Sequence, residues 1–256
     1  MRTDEACIRR WPCPTLRAMP GPGKGGRYHH GDLRAALVDT AIEIIGERGV
    51  RGFSLAEASR RLGVAVSAPY AHFADRDDLL AAVAVHAYQL FYAELTREMG
   101  QFPAAADRLA AMVRGYVRFA AANRALFEVV YEAGLDKARH PEIEAAERPI
   151  SDVLLACVRA LPDGGQAVSG SQHTASSEYT AGGQTMSEDL TTAVEATARG
   201  HVMLLLDEGP GQGAAAIELA AERAARATLA LIQGRHLLTR PSGPAAPGGS
   251  SAHGGH

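Results

Sequence analysis

Residues Ser54 to Leu80 read SLAEASRRLGVAVSAPYAHFADRDDLL. Ser54 followed three residues later by Glu57 is a capping-box pair, the mark of a helix start. The helix it opens runs only to Gly63, a residue free to take the positive φ of a sharp turn. Ser59 is small and lies four residues before that turn, so a following helix can cross the first one closely. Leu55, Leu62 and Val64 supply the apolar contacts of the corner. A short helix over about Ala65 to Phe73 is expected next, and Asp75 to Asp78 start another. A short capped helix, a glycine turn and a second short helix make the layout of a helix-turn-helix, whose second helix enters a DNA major groove.

Helical patterns continue on both sides. Asp32 is placed to cap a helix ending near Arg48, with Leu33, Leu37, Ala41, Ile44 and Ile45 on one face and Gly49 as its stop. The helix after Asp75 should reach about Met99. Further helices are expected over Ala104–Ala122, Ala125–Glu132, Pro141–Ala160, Glu188–Asp207 and Ala214–Gly234. No segment alternates as a strand would, and aromatic residues are only 5% of the chain. The expected fold is all-α: an N-terminal three-helix helix-turn-helix unit followed by a larger C-terminal helical domain. The expected domains are 27–80 and 81–238.

Three stretches stand apart. Residues 1–26 carry four of the prolines, a Gly-rich run and a net charge of +3, and read as a disordered basic arm. Residues 161–187, rich in Gly, Ser, Thr and Gln, read as a disordered insertion between two helices. Residues 239–256 form a Pro/Gly/Ser tail ending in His253 and His256, solvated rather than metal-binding. Cys7, Cys13 and Cys157 are odd in number and make neither a disulfide framework nor a zinc ribbon, so a reducing cytoplasm is the expected home. No uninterrupted apolar run approaches the ~20 residues of a membrane span.

Enzyme chemistry lacks its parts. There is no Gly-x-Ser-x-Gly, phosphate loop, His-Glu-x-x-His or paired-cysteine metal site. Cys157 among Leu154, Leu155 and Val158 reads as buried and inert. No cofactor and no metal are expected.

Three stretches together resemble the TetR/AcrR family of transcriptional regulators: Tyr28-His-His-Gly-Asp-Leu-Arg34, Ser54 to Val64, and Ala68-Pro-Tyr-Ala-His-Phe-Ala-Asp-Arg-Asp-Asp-Leu-Leu80. The segments Tyr116 to Phe119 and Asn123 to Val130 resemble the ligand-domain helices of one subgroup. That subgroup carries a Trp and a His-Gly pair in its penultimate helix, where this chain has Glu195 and Arg199-Gly200. The resemblance implies a C-terminal helical ligand-binding and dimerisation domain and a homodimer on a palindromic double-stranded DNA operator, expected to act as a repressor answering to a small-molecule effector; the alternatives are an effector-independent architectural DNA-binding protein or an enzyme. It also implies that the last two long helices form a four-helix bundle across the dimer. The stripe Ile217, Ala220, Ala221, Ala224, Ala227, Thr228 and Leu231 suits such close packing, either between subunits or within one.

The expected DNA-facing residues are Arg27, His29, His30, Ser54, Val66, Ser67, Ala68, Tyr70, His72 and Arg76. The third helix holds no Lys or Arg, which excludes bidentate arginine–guanine readout from it. Ser67 is the expected hydrogen-bonding reader, with Val66 and Ala68 touching thymine methyls. Tyr70, His72 and Arg76 resemble the family's phosphate contacts. The family's usual Ser is replaced by Ala65, so Ser67 becomes the nearest cap and the third helix should begin two residues late, with Pro69 in its first turn. The unit from Arg27 to Leu80 has a net charge of −1, so affinity should lean on the arm, along the minor groove or the backbone. Effector-pocket candidates are Tyr116, Phe119, Phe127, Tyr131 and His201. Each also reads as a core residue, His201 most of all.

Overall fold

A capped helix, a glycine corner and one tight turn do form over residues 54–80, and the rest of the chain is built outward from them. The computed structural model describes residues 33–162, 178–209 and 213–238. The described residues are all helical: α1 (Leu33–Arg48), α2 (Leu55–Leu62), α3 (Arg76–Met99), α4 (Ala105–Ala122), α5 (Arg124–Glu132), α6 (Pro141–Arg159), α7 (Glu178–Asp207) and α8 (Ala214–Gln233). The expected boundaries hold to within a residue or two, except at two places.

The first is α7, which begins at Glu178, ten residues inside the stretch read as an insertion. Its Gly and Thr content hides a helical register that only the following turns reveal. The second is the third helix, which is a single 3-10 turn, Ala68–Ala71. Pro69 has no N–H to give, and its neighbours pair three residues back: Ala68 N–H with Ala65 O at 2.9 Å and Tyr70 N–H with Ser67 O at 3.2 Å. As expected from Ala65, the turn starts late, with Ser67 in the cap position, although the Ser67 hydroxyl makes no cap bond.

Apolar side chains gather in two clusters. Leu37, Ile44 and Ile45 of α1, Leu55 and Ala58 of α2, Phe73, and Leu79 to Tyr88 of α3 form one, closed by Leu126, Val129 and Ile143. Phe91, Leu95, Leu109, Val113, Val117, Leu154, Leu190, Val194, Val202, Ala221 and Ala224 belong to the other. The clusters part between Tyr88 and Phe91, within α3. By length and composition α3 passes for a membrane span, yet ten of its residues are buried among its neighbours.

The last helix packs its buried side chains inside the single chain. Ala221, Ala224 and Thr228 are fully buried inside the single chain, where α8 packs most extensively on α4. Arg114 pairs with Glu222 at 2.8 Å and Arg118 with Glu218 at 2.6 Å across that seam. Ala221, Ala224 and Thr228 of the small-residue stripe therefore serve the subunit's own core, while Ile217, Ala220, Ala227 and Leu231 stay half-buried. What α7 and α8 turn outward is Met203, Leu204 and Leu219, at 40%, 69% and 47% exposure.

Candidate nucleic-acid interface and inner cavity

The corner that presents the 3-10 turn is over-determined. Ser54 Oγ accepts the Glu57 N–H at 3.2 Å. The Glu57 carboxylate does not reach back to complete the capping box; it is buried and pairs with Arg48, Arg60 and Arg61. Ser59 is fully buried and donates to Leu55 O at 2.9 Å, removing its hydroxyl from the crossing. Gly63 takes φ 68°, the left-handed conformation, and Val64 N–H closes the turn on Ser59 O at 3.0 Å. In that conformation a side chain is strained even where space is free.

On this frame Pro69 and Phe73 point inward and are buried. Val66 is 60% and Tyr70 56% exposed; Ser67 is exposed, and Ala68 and His72 are half-buried. The outward surface of the turn is thus Val66, Ser67 and Tyr70, three residues of the expected set. Ser54 is exposed, its Oγ accepting the cap bond from Glu57 N–H. Arg76 is committed too: it donates to Val50 O at 2.7 Å, to Phe53 O at 3.3 Å and to Asp77 at 3.3 Å, and lies over the Phe53 ring. Its guanidinium ties the start of α3 to the link between α1 and α2, leaving two of its five N–H donors for a phosphate. Arg27, His29 and His30 lie outside the described residues.

Behind the turn, Asp75 caps α3 by accepting the N–H groups of Asp77 and Asp78 at 2.9 and 3.0 Å. Arg139, from the link between α5 and α6, pairs with Asp75 and lies 3.8 Å from Asp78. The Arg139 hydrogen bond and the two backbone N–H groups hold the Asp75 carboxyl below the ordinary aspartate range. Next to it His140 is buried, with Nδ1 3.7 Å from Asp78 and 3.3 Å from Glu142. Lys137 of the same link pairs with Glu147 of α6.

Glu147 borders an inner cavity of about 110 Å3 between α3, α4, α5, α6 and α7, open to solvent on the side where Tyr131, Glu195 and Arg199 are exposed. Tyr116, Phe119, Phe127 and Tyr131 line it, as the sequence suggested. His201 does not; its Nδ1 meets Thr197 O at 2.8 Å. The sequence reading missed Tyr88, Phe91, Glu147, Glu195 and Arg199 as walls. A signal existed for α6: Glu147, Ile150, Ser151 and Leu154 follow the i, i+3, i+4, i+7 spacing of one helix face, with a carboxylate in the apolar stripe. Glu195 and Arg199 are the two positions where the resembled subgroup has its Trp and His.

The rings interlock. Phe91 meets Tyr116 and Phe119 at 5.2 Å between centroids, and Phe127 meets Tyr131 at 4.5 Å. Tyr116 donates its hydroxyl to that of Tyr131 at 3.0 Å, and the Arg199 guanidinium sits 4.4 Å over the Tyr131 ring. Burial pushes the Tyr88 and Tyr116 phenols up, so both stay neutral. Burial, outweighing Arg199 and aided by Glu147, raises the Glu195 carboxyl.

The comparisons with known proteins agree with this geometry. The family model for bacterial regulatory proteins of the tetR family matches residues 37–83. That for the tetracyclin repressor-like C-terminal domain matches residues 109–230. The two matches together cover about two thirds of the chain. The chain belongs to the TetR family of transcriptional regulators, a family of DNA-binding proteins rather than enzymes. Among solved structures, a protein with unknown function from Rhodococcus sp. RHA1 is similar at a TM-score of 0.57 and 24% identity, covering 80% of this chain and 98% of that one. A bacterial regulatory protein in the tetR family from Rhodococcus RHA1 gives 0.56 and 21%, covering 78% and 96%. The transcriptional regulator FadR from Bacillus subtilis, in complex with stearoyl-CoA, gives 0.56 and 14%, covering 78% and 98%. At these identities the likeness establishes a shared fold. No curated protein matches the chain.

Proposed function

We propose that the protein is a cytoplasmic, ligand-responsive repressor that binds a palindromic operator as a homodimer. One observation carries this: a single short link, residues 134–140, joins the start of α3 beside the DNA-facing turn to the wall of an aromatic cavity. Arg139 holds the Asp75 cap while Lys137 holds Glu147. A molecule that engages Glu147 acts on the same link that steadies the turn, which is a physical route for effector control.

The dimer forms through the outward faces of α7 and α8, where Met203, Leu204 and Leu219 leave apolar surface uncovered. Two-fold homodimers are the commonest assemblies, and a two-fold protein reads half-sites about one helical turn, ~10 bp, or a little more apart. Within each half-site Ser67 faces base edges, Val66 touches a thymine methyl and Tyr70 grips a phosphate. The residues of the arm and Arg27, His29 and His30 add backbone contacts. In B. subtilis FadR the bound molecule is stearoyl-CoA; a cavity of about 110 Å3 favours a far smaller effector here.

Selection from a randomised duplex pool tests the reading. The full-length chain should enrich a palindrome, and Ser67→Ala should relax preference at one symmetric pair of positions without altering the salt slope. Tyr70→Phe should weaken all duplexes alike. Failure to prefer any duplex over scrambled DNA, at any salt concentration, would refute the regulator reading.

A further inference from the structure

We propose that the inner cavity binds a compact organic cation, with a single-ring apolar body among Phe91, Phe119 and Phe127 and a protonated amine between Glu147 and Glu195. This deepens the ligand-responsive reading above and rests on it.

Size comes first. The cavity holds about 110 Å3, and an apolar engineered cavity of roughly 150 Å3 is enough to bind benzene. The cavity is smaller than that reference, so its occupant is at most a single ring whose substituent reaches out through the open rim, not a lipid or a cofactor. Its walls are the rings of Tyr88, Phe91, Tyr116, Phe119, Phe127 and Tyr131. Aromatic faces carry negative quadrupole potential and attract cations, more so away from water.

The polar end is unequal in charge. Glu147 and Glu195 face one cation, Arg199. That cation lies stacked over the Tyr131 ring. Neither carboxylate forms an ion pair with it among the described residues. Glu147 has Lys137 instead, in a half-exposed pair of the kind that is easily exchanged. Glu195 is an exposed residue at the open rim of the cavity, with no ion pair or hydrogen bond of its own among the described contacts, and the partial burial of its carboxyl raises it. A ligand ammonium offers Glu195 its missing partner and takes Glu147 from Lys137. An anion would meet two carboxylates, and a neutral ligand would leave Glu195 as it is.

Three probes of one shape separate these cases: benzylamine, benzyl alcohol and benzoate. Each is titrated calorimetrically at neutral pH into the full-length protein. Benzylamine should bind about tenfold or more tighter than benzyl alcohol, a gap expected of a partly desolvated charge pair, and benzoate most weakly. Glu195→Gln and Glu147→Gln, which keep shape and remove charge, should each narrow the gap severalfold. Equal affinity for the amine and the alcohol, a preference for benzoate that Arg199→Gln abolishes, or no binding by any probe would each overturn the proposal. A separate arm without ligand selects duplex DNA. A protein that enriches a palindrome yet binds no probe loses the ligand class and keeps the regulator reading. One that binds benzylamine and enriches no duplex does the reverse.

Discussion

Replacing Arg76 with Ala asks whether this side chain grips DNA or holds the protein together. In the fold its guanidinium serves two backbone carbonyls, Val50 O at 2.7 Å and Phe53 O at 3.3 Å, and lies 5.9 Å over the Phe53 ring. Its side chain is about a third exposed. A hydrogen bond from a charged group contributes roughly 1.5–3 kcal/mol when buried. Partial exposure and the longer second bond reduce the pair to a total of about 2 kcal/mol. For a domain of this size each kcal/mol moves the melting temperature by about 2–4 °C. Arg76→Ala should therefore lower it by about 4–8 °C. Arg76→Lys should recover only part, since one ammonium cannot span both carbonyls. The assay is thermal unfolding by circular dichroism, run beside DNA titrations at several salt concentrations. An unchanged melting temperature with weaker binding to every duplex, and a salt slope shallower by about one ion, would refute the structural role and make Arg76 a phosphate contact.

Leu204→Glu should leave the subunit folded and split the dimer in sedimentation, because Leu204 is 69% exposed in the single chain; an intact dimer would move the interface elsewhere. Ala224→Glu should instead unfold the subunit, since a carboxylate there has neither room nor a partner, and a folded monomer would contradict the α4–α8 core. The Asp75 carboxyl is depressed in the folded state, so its contribution is present at neutral pH and lost as the pH falls through the folded value. The stability gap between wild type and Arg139→Gln should accordingly close in acid, below about pH 4; a gap unchanged down to pH 2 would show that the pair does not hold Asp75. Cys157 is buried and its thiol pushed up by desolvation, so in a Cys7→Ser, Cys13→Ser background it should react with a thiol reagent only as fast as the protein opens.

Periodicity and caps are local properties, and they were legible. Ser54, Gly63 and Asp75 each do what their chemistry dictates, because a cap or a positive φ needs only near neighbours. The helix order follows, and with it the helix-turn-helix and the family. Even the late start of the turn after Gly63 could be read from Ala65 and Pro69. Its collapse to one 3-10 turn could not, because four residues can close either kind of turn. The Ala stripe of α8 shows the limit plainly: spacing says that Ala221, Ala224 and Thr228 face a helix, and only the tertiary structure says that the helix is α4 of the same chain. Likewise Arg76 resembles a phosphate contact in one dimension and becomes a clamp once Val50 and Phe53 are folded beside it. Glu147, Glu195 and Arg199 lie up to 52 residues apart in the chain, and no local rule joins them. They become one cavity end because packing α6 against α7 closes the aromatic shell around them, which is a property of long-range contacts alone.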